Sequence, residues 1–299
     1  MEYIVETTNL CKQYPGKLAC DSINMKIRKG DIYGFIGKNG AGKTTLMKIL
    51  LGLTNATSGS FKLFESDNLD EQRKKIGSLI EAPGLYKDCS AYENMKRFSM
   101  IYGGTKEEIN ELLKIVGLDN VGKRKAGQFS LGMRQRLGIA ISMLGNPELL
   151  ILDEPINGLD PAGIKEIRDT LLKINKERGV TMLVSSHLLD ELAKITTRYG
   201  IINNGVLVEE IDAAELEERC KTSLVITSDN AKRVVELLMA NNIIDSESYT
   251  INENSVVITK GFDKPAEINE LLVKSGLKVS ELKVSGEGFE NYFIERIGK

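Results

Sequence analysis

The residues Gly37-Lys38-Asn39-Gly40-Ala41-Gly42-Lys43-Thr44 constrain this chain more than any others. They fit G-x-x-x-x-G-K-[ST]. Before them lies an apolar run, Asp31 to Ile36, and after them a helical run, Thr44 to Leu51, closed by Gly52. Strand, glycine-rich turn and helix in that order form a cradle for phosphate. The glycines let backbone N–H groups curl around phosphate oxygens, and the helix adds its positive dipole end. Lys43 is expected to reach the β- and γ-phosphates of a nucleotide and the Thr44 hydroxyl to bind Mg²⁺, with Thr45 beside them in the binding set. ATP and Mg²⁺ are thus the expected cofactors.

A second segment, Leu149-Leu150-Ile151-Leu152-Asp153-Glu154, completes such a site. Four apolar residues bury a strand, and two carboxylates emerge at its end. Asp153 is expected to hold Mg²⁺ through water. Glu154 is expected to polarise the attacking water as general base, an effect of ~10²–10⁴ in rate. An apolar strand ending in two acids is weak evidence by itself, but paired with the phosphate loop it becomes strong.

Strand-like and helical patterns alternate up to about residue 210. Strands are predicted at Ile76 to Ile80, Leu149 to Leu152 and Val180 to Val184, with a helix from Pro161 to Arg178 before Gly179. Strands separated by helices imply a parallel sheet with helices on its faces. Alternating stretches near residues 3–7, 22–28 and 60–65 predict antiparallel strands with one wet face. After about residue 215 the order reads strand 224–227, helix 231–240, hairpin strands 248–251 and 256–259, helix 265–274, strand 277–284. That is a split βαβ arrangement. A last helix, Phe289 to Ile297, places Phe289, Tyr292, Phe293 and Ile297 on one face. No nucleotide or metal motif falls there, so residues 216–299 are expected to form a small α+β accessory domain behind a nucleotide-binding domain of residues 1–215.

Phe129-Ser130-Leu131-Gly132-Met133-Arg134-Gln135-Arg136 resembles the signature segment, L-S-G-G-Q, of ABC-transporter ATPases. Other pieces match that family in order over roughly residues 3–215. Asn157-Gly158-Leu159-Asp160 resembles its D-loop, the lone histidine, His187, its switch histidine, and Tyr14 the aromatic that stacks on adenine. The resemblance implies a P-loop NTPase α/β fold with a parallel sheet core, an antiparallel side sheet and a helical subdomain carrying the signature loop. It implies a homodimer in which Ser130 and the N–H of Gly132 touch the phosphate held by the other copy, while Asp160 couples the two sites. His187 and Lys43 join Glu154 as catalytic residues, and Leu131 and Met133 depart from the signature. Most family members carry a glutamine after the third strand; here Glu81 stands in its place and is expected to be a metal-side ligand. Together with Ser90-Ala91-Tyr92-Glu93-Asn94, this resembles the branch that confers resistance to bacitracin and lantibiotics.

The resemblance further implies ATP hydrolysis coupled to transport by a separate integral membrane permease docked between about Glu81 and Arg124. The chain is then expected on the inner face of the cell membrane. A net charge of −2 over 299 residues argues against nucleic-acid binding. No apolar run approaches the ~20 residues of a membrane helix. Residues Met1 to Glu6 lack a signal peptide's regions. Four scattered cysteines predict reduced thiols, and a single histidine argues against zinc. Three other readings compete. An exporter of lipid, ion or polysaccharide is the serious one, because cargo is chosen mainly by the permease. A soluble ATPase acting on ribosomes or DNA is opposed by the single phosphate loop and by the lack of heptads between Lys43 and Asp153. A degenerate binding subunit is opposed by Glu154 and His187.

Overall fold

Five residues per strand suffice to bury Ile32–Ile36 completely, and Leu149–Leu152 and Thr181–Ser186 are buried at every position too. Strands that show no alternation are covered on both faces, the mark of a parallel sheet between helical layers. The computed structural model describes residues 2–286 and 289–297. Its chain divides into two compact units, Met1–Ala213 with Glu295–Lys299, and Ala214–Ile294.

The first unit is built on a six-stranded sheet in the order Val206–Asp212, Arg198–Asn203, Ile32–Ile36, Thr181–Ser186, Leu149–Leu152, Ile76–Leu79. Every pairing is parallel except that between Val206–Asp212 and Arg198–Asn203. The five parallel strands therefore end at one edge, where open α/β sheets place their ligands. A second sheet is antiparallel. Tyr3–Tyr14 pairs with Lys17–Ile23, Lys26–Arg28 and Ser58–Leu63. Ile4, Val5, Leu10, Ile23, Met25 and Ile27 pack from this sheet against Tyr33, Phe35 and the apolar face of the helix Lys43–Leu50.

The expected strand near 22–28 is two strands. Lys17–Ile23 ends and Lys26–Arg28 begins around Asn24, whose amide donates to Asn9 Oδ1 at 3.0 Å and to the Ser22 carbonyl at 2.9 Å. Ser22 itself has φ +49°, a turn conformation that breaks the pleat. The strand expected at 3–7 runs on to Tyr14. It does so through irregular register at Leu10–Gln13, which hides its period in the sequence.

Helices Ala91–Tyr102, Lys106–Ile115 and Leu131–Ser142 form a helical region beside the sheet. Asn94, fully buried, accepts from the Tyr86 N–H and donates to the carbonyls of Tyr86, Cys89 and Ser90. One amide thus ties the loop that follows Glu81 to the first of these helices.

The second unit has the strand order Tyr249–Asn252, Ser255–Ile258, Ser223–Ser228, Val279–Ser285, antiparallel throughout. Helices Ala231–Ala240 and Pro265–Lys274 supply Val234, Leu238, Ile268 and Leu272 to its core. This is the split βαβ layout.

One close approach holds the outermost parallel strand in place. A methyl on Gly77 would stand 1.8 Å from the Ser142 carbonyl oxygen and 2.8 Å from Leu150 Cδ2. Gly77→Ala should therefore cost at least about 1–3 kcal/mol through overpacking. Calorimetry should show a fall of several degrees in Tm, and an unchanged Tm would contradict this packing.

Candidate nucleotide site

Parallel pairing fixes which residues meet at the sheet edge. Leu152 is level with Val184, so Asp153 comes beside Ser185; Leu79 is level with Leu152, so the loop carrying Glu81 leaves the sheet next to the strand that ends before Asp153 and Glu154. Ile36 is level with Ser186, so Gly37 comes beside His187. Four segments distant in sequence thus deliver their polar ends to one place.

The loop itself depends on Gly42. Its φ is +114°, and a Cβ there would lie 2.3 Å from the Ala19 carbonyl oxygen. Only glycine meets both demands. The helix Lys43–Leu50 starts directly behind it with no side-chain cap and no acid in its first turn, so its N–H groups remain for an anion.

Lys43 is 5% exposed. A buried ammonium must be paired. Its Nζ donates to the Gly37 carbonyl at 2.6 Å and lies 3.2 Å from Glu154 Oε1. Thr44 Oγ1 donates to Asp153 Oδ2 at 2.7 Å, and Ser185 Oγ donates to Asp153 Oδ1 at 2.6 Å. Ser185 Oγ also accepts from the Glu154 N–H at 2.9 Å, so one hydroxyl bridges the Asp153 carboxylate and the Glu154 backbone. His187 Nδ1 lies 2.8 Å from Glu154 Oε2. Glu154 has φ +49°, a strained conformation for a residue with a side chain, which aims its carboxylate back over the loop.

A cleft of about 250 Å³ opens beside these groups, lined by Tyr14, Lys17, Asn39, Gly40, Thr45 and Glu154 among others. Tyr14 is 40% exposed, with Lys12 Nζ 4.9 Å from its ring centre. The ring is thus available for stacking. Lys38 and Asn39 are exposed on the loop, and Ala41 is buried beneath it.

Ser130, Gly132 and Asp160 are not among the residues lining that cleft; they form a cluster of their own. Ser130 caps the helix Leu131–Ser142, accepting from Met133 N–H at 3.2 Å. Asp160 caps Pro161–Arg178, accepting from Gly163 N–H at 3.0 Å. A methyl on Gly132 would come 3.7 Å from Gly163 Cα, so the two helix N-termini are neighbours. Leu131, where the signature has glycine, is 37% exposed beside them.

Glu81 reaches neither Thr44 nor Asp153; its Oε1 accepts from Lys48 Nζ at 2.9 Å. That hydrogen bond, more than any other influence, holds the Lys48 ammonium above the usual lysine range.

Sequence reading missed two members of the site. Ser185 bridges Asp153 and Glu154, and its only sequence signal was the polar pair ending a strand just before His187. Lys17 donates to the Gly40 carbonyl at 3.0 Å, and no motif marks it.

The ABC transporter family model matches residues 20–157. The chain is 40% identical over 303 residues to the bacitracin transport ATP-binding protein BcrA of Bacillus licheniformis, covering 100% of this chain and 98% of that protein. It is 48% identical over 219 residues to the lantibiotic transport ATP-binding protein SrtF of Streptococcus pyogenes, covering 72% of this chain and 95% of that one. A dimeric ATP-binding cassette solved in a post-hydrolysis state with ADP and Pi superposes with a TM-score of 0.62 at 26% identity, covering 70% of this chain and 98% of that chain.

Ser185→Ala removes the hydroxyl that holds the Asp153 carboxylate and the Glu154 backbone. Loss of such a supporting hydrogen bond typically costs 10–100-fold. ATP turnover should fall by about that factor while the protein stays folded. Steady-state kinetics showing wild-type turnover would mean that the bridge plays no part.

Proposed function

Because the chain belongs to the ABC transporter ATP-binding family and hydrolyses ATP, we propose that it energises a membrane permease that exports or removes a peptide antibiotic of the bacitracin or lantibiotic type. The observation that carries the cargo is the match to BcrA, which extends through the second unit as well as the cassette. Residues 1–215 serve as the nucleotide-binding domain and 216–299 as an accessory domain. The division of the chain at Ala213 supports this boundary.

The donors Thr44 Oγ1 and Asp153 Oδ2 are hard oxygens 2.7 Å apart, the chemistry Mg²⁺ takes. Bound there, Mg²⁺ would neutralise charge on the β- and γ-phosphate oxygens. Lys43 exchanges its bonds to the Gly37 and Lys38 carbonyls for phosphate oxygens. Gly37, Lys38, Asn39, Gly40, Ala41, Gly42 and Thr45 wrap the phosphates, and Tyr14 stacks on the adenine. Glu154 takes the proton of the attacking water, and His187, already 2.8 Å from it, fixes the carboxylate and meets the γ-phosphate. Catalysis is positioning and electrostatic stabilisation rather than covalent chemistry.

A second copy of the chain brings Ser130, Gly132 and Asp160 to the far side of the nucleotide. Their position apart from the cleft, as two adjacent helix N-termini, supports this. Among the described residues no helix is long and apolar enough to cross a membrane. We therefore assign transport to a permease partner that holds the ATPase at the inner membrane face. Glu81 is the metal-side and coupling residue of this scheme.

Glu154→Gln keeps the shape of the side chain and removes the base. It should bind ATP, trap the dimer and lower turnover by about 10²–10⁴-fold. In a susceptible host expressing the chain with its permease, resistance to bacitracin or a lantibiotic should appear with wild type and vanish with Glu154→Gln. An assembled, ATP-hydrolysing complex that gives no resistance would refute the antibiotic cargo and favour another substrate. Glu81→Ala should reduce the permease's stimulation of ATPase activity, and full stimulation would remove Glu81 from coupling.

A further inference from the structure

Lys48 follows Thr44 by one helical turn, so both side chains leave the same face of the helix Lys43–Leu50. Its ammonium bonds Glu81 at 2.9 Å. Asp153 also acts on it, adding to the influence of Glu81 that keeps it protonated. One lysine of this chain therefore stands in the field of both carboxylates assigned to the metal side of the site. Glu81 has φ +62°, a conformation that non-glycine residues rarely adopt. Its backbone is thus held in an unfavoured state at the point where its carboxylate meets Lys48.

We propose that Lys48 is a positioning residue for the divalent cation, competing with Mg²⁺ for the Glu81 carboxylate. This rests on the reading of Glu81 as a metal-side ligand. A lysine ammonium binds one carboxylate oxygen through a hydrogen bond on a flexible stem. Mg²⁺ demands octahedral oxygen ligation and carries twice the charge. The two cations therefore exclude each other at Glu81, and the arrival of nucleotide-bound Mg²⁺ frees the lysine. A glutamine in place of Glu81 would offer the ammonium no counter-charge, so this competition belongs to the glutamate at that position. The side chains of the pair are 35% and 69% exposed, so water screens their attraction. An exposed pair of this kind changes an equilibrium constant by a factor of roughly two to five.

The test is a Mg²⁺ titration of the full-length chain with a fluorescent, non-hydrolysable ATP analogue, read by anisotropy. Lys48→Met keeps the aliphatic stem and removes the charge, and it should tighten the apparent Mg²⁺ affinity roughly two- to fivefold. Lys48→Arg should restore the wild-type value. Beside Glu81→Gln, the Lys48→Met change should have clearly less effect. A shift of equal size in both backgrounds would overturn the proposal, because Lys48 would then act through charge alone. No shift, or weaker Mg²⁺ binding, in Lys48→Met would overturn it as well. If Glu81→Gln by itself leaves Mg²⁺ affinity unchanged, the metal-side reading of Glu81 fails, and that result is seen without any change at Lys48.

Discussion

Strands buried on both faces cannot slip past one another without driving apolar side chains into helices or exposing unpaired backbone. In the parallel sheet this rigidity fixes Ile36 against Ser186 and Leu152 against both Val184 and Leu79. Everything chemical in the chain follows from where those strands stop. One residue beyond their strand ends come Gly37, Asp153 and His187; Ser185 is the last residue but one of its own strand, and Glu81 is two beyond the end of its own. A one-residue change of register in any strand would turn its carboxylate or hydroxyl away from the loop.

The edge so formed is dense with charge in little water. Lys43, Asp153 and Glu154 are buried or nearly so, and each is held by partners of opposite charge or by hydroxyls and carbonyls. Burying ions in this way contributes little to stability. It does keep donors and acceptors aimed where a triphosphate and its metal must sit, so little reorganisation remains for the reaction. The backbone is strained at both Glu154 and Glu81, just beyond the ends of adjacent strands; the Glu154 carboxylate meets Lys43, and that of Glu81 meets Lys48.

Much of this was legible in the sequence because it is local. Gly37 to Thr44 carries its own turn chemistry, and Asp153 and Glu154 follow an unmistakable apolar strand. The second unit was readable from periodicity, and its helices Ala231–Ala240 and Pro265–Lys274 have the expected limits. What escaped depends on non-local pairing. Ser185 acquires its role only when its strand lies beside the one ending at Asp153, and nothing in its neighbours announces that. Lys48 meets Glu81 across 33 positions of sequence. The break at Asn24 rests on its bonds to Asn9 and Ser22, which a count of alternating residues does not see.

The clustering of Ser130 with Asp160 apart from the phosphate loop has a kinetic consequence. In the proposed dimer neither chain owns a complete site, so dilute free subunits form complete sites in proportion to the square of their concentration. A permease that holds two copies side by side replaces that collision with an effective concentration set by its own geometry. The membrane partner then does more than receive the work of hydrolysis: by bringing two incomplete halves within reach, it decides where in the cell ATP is spent.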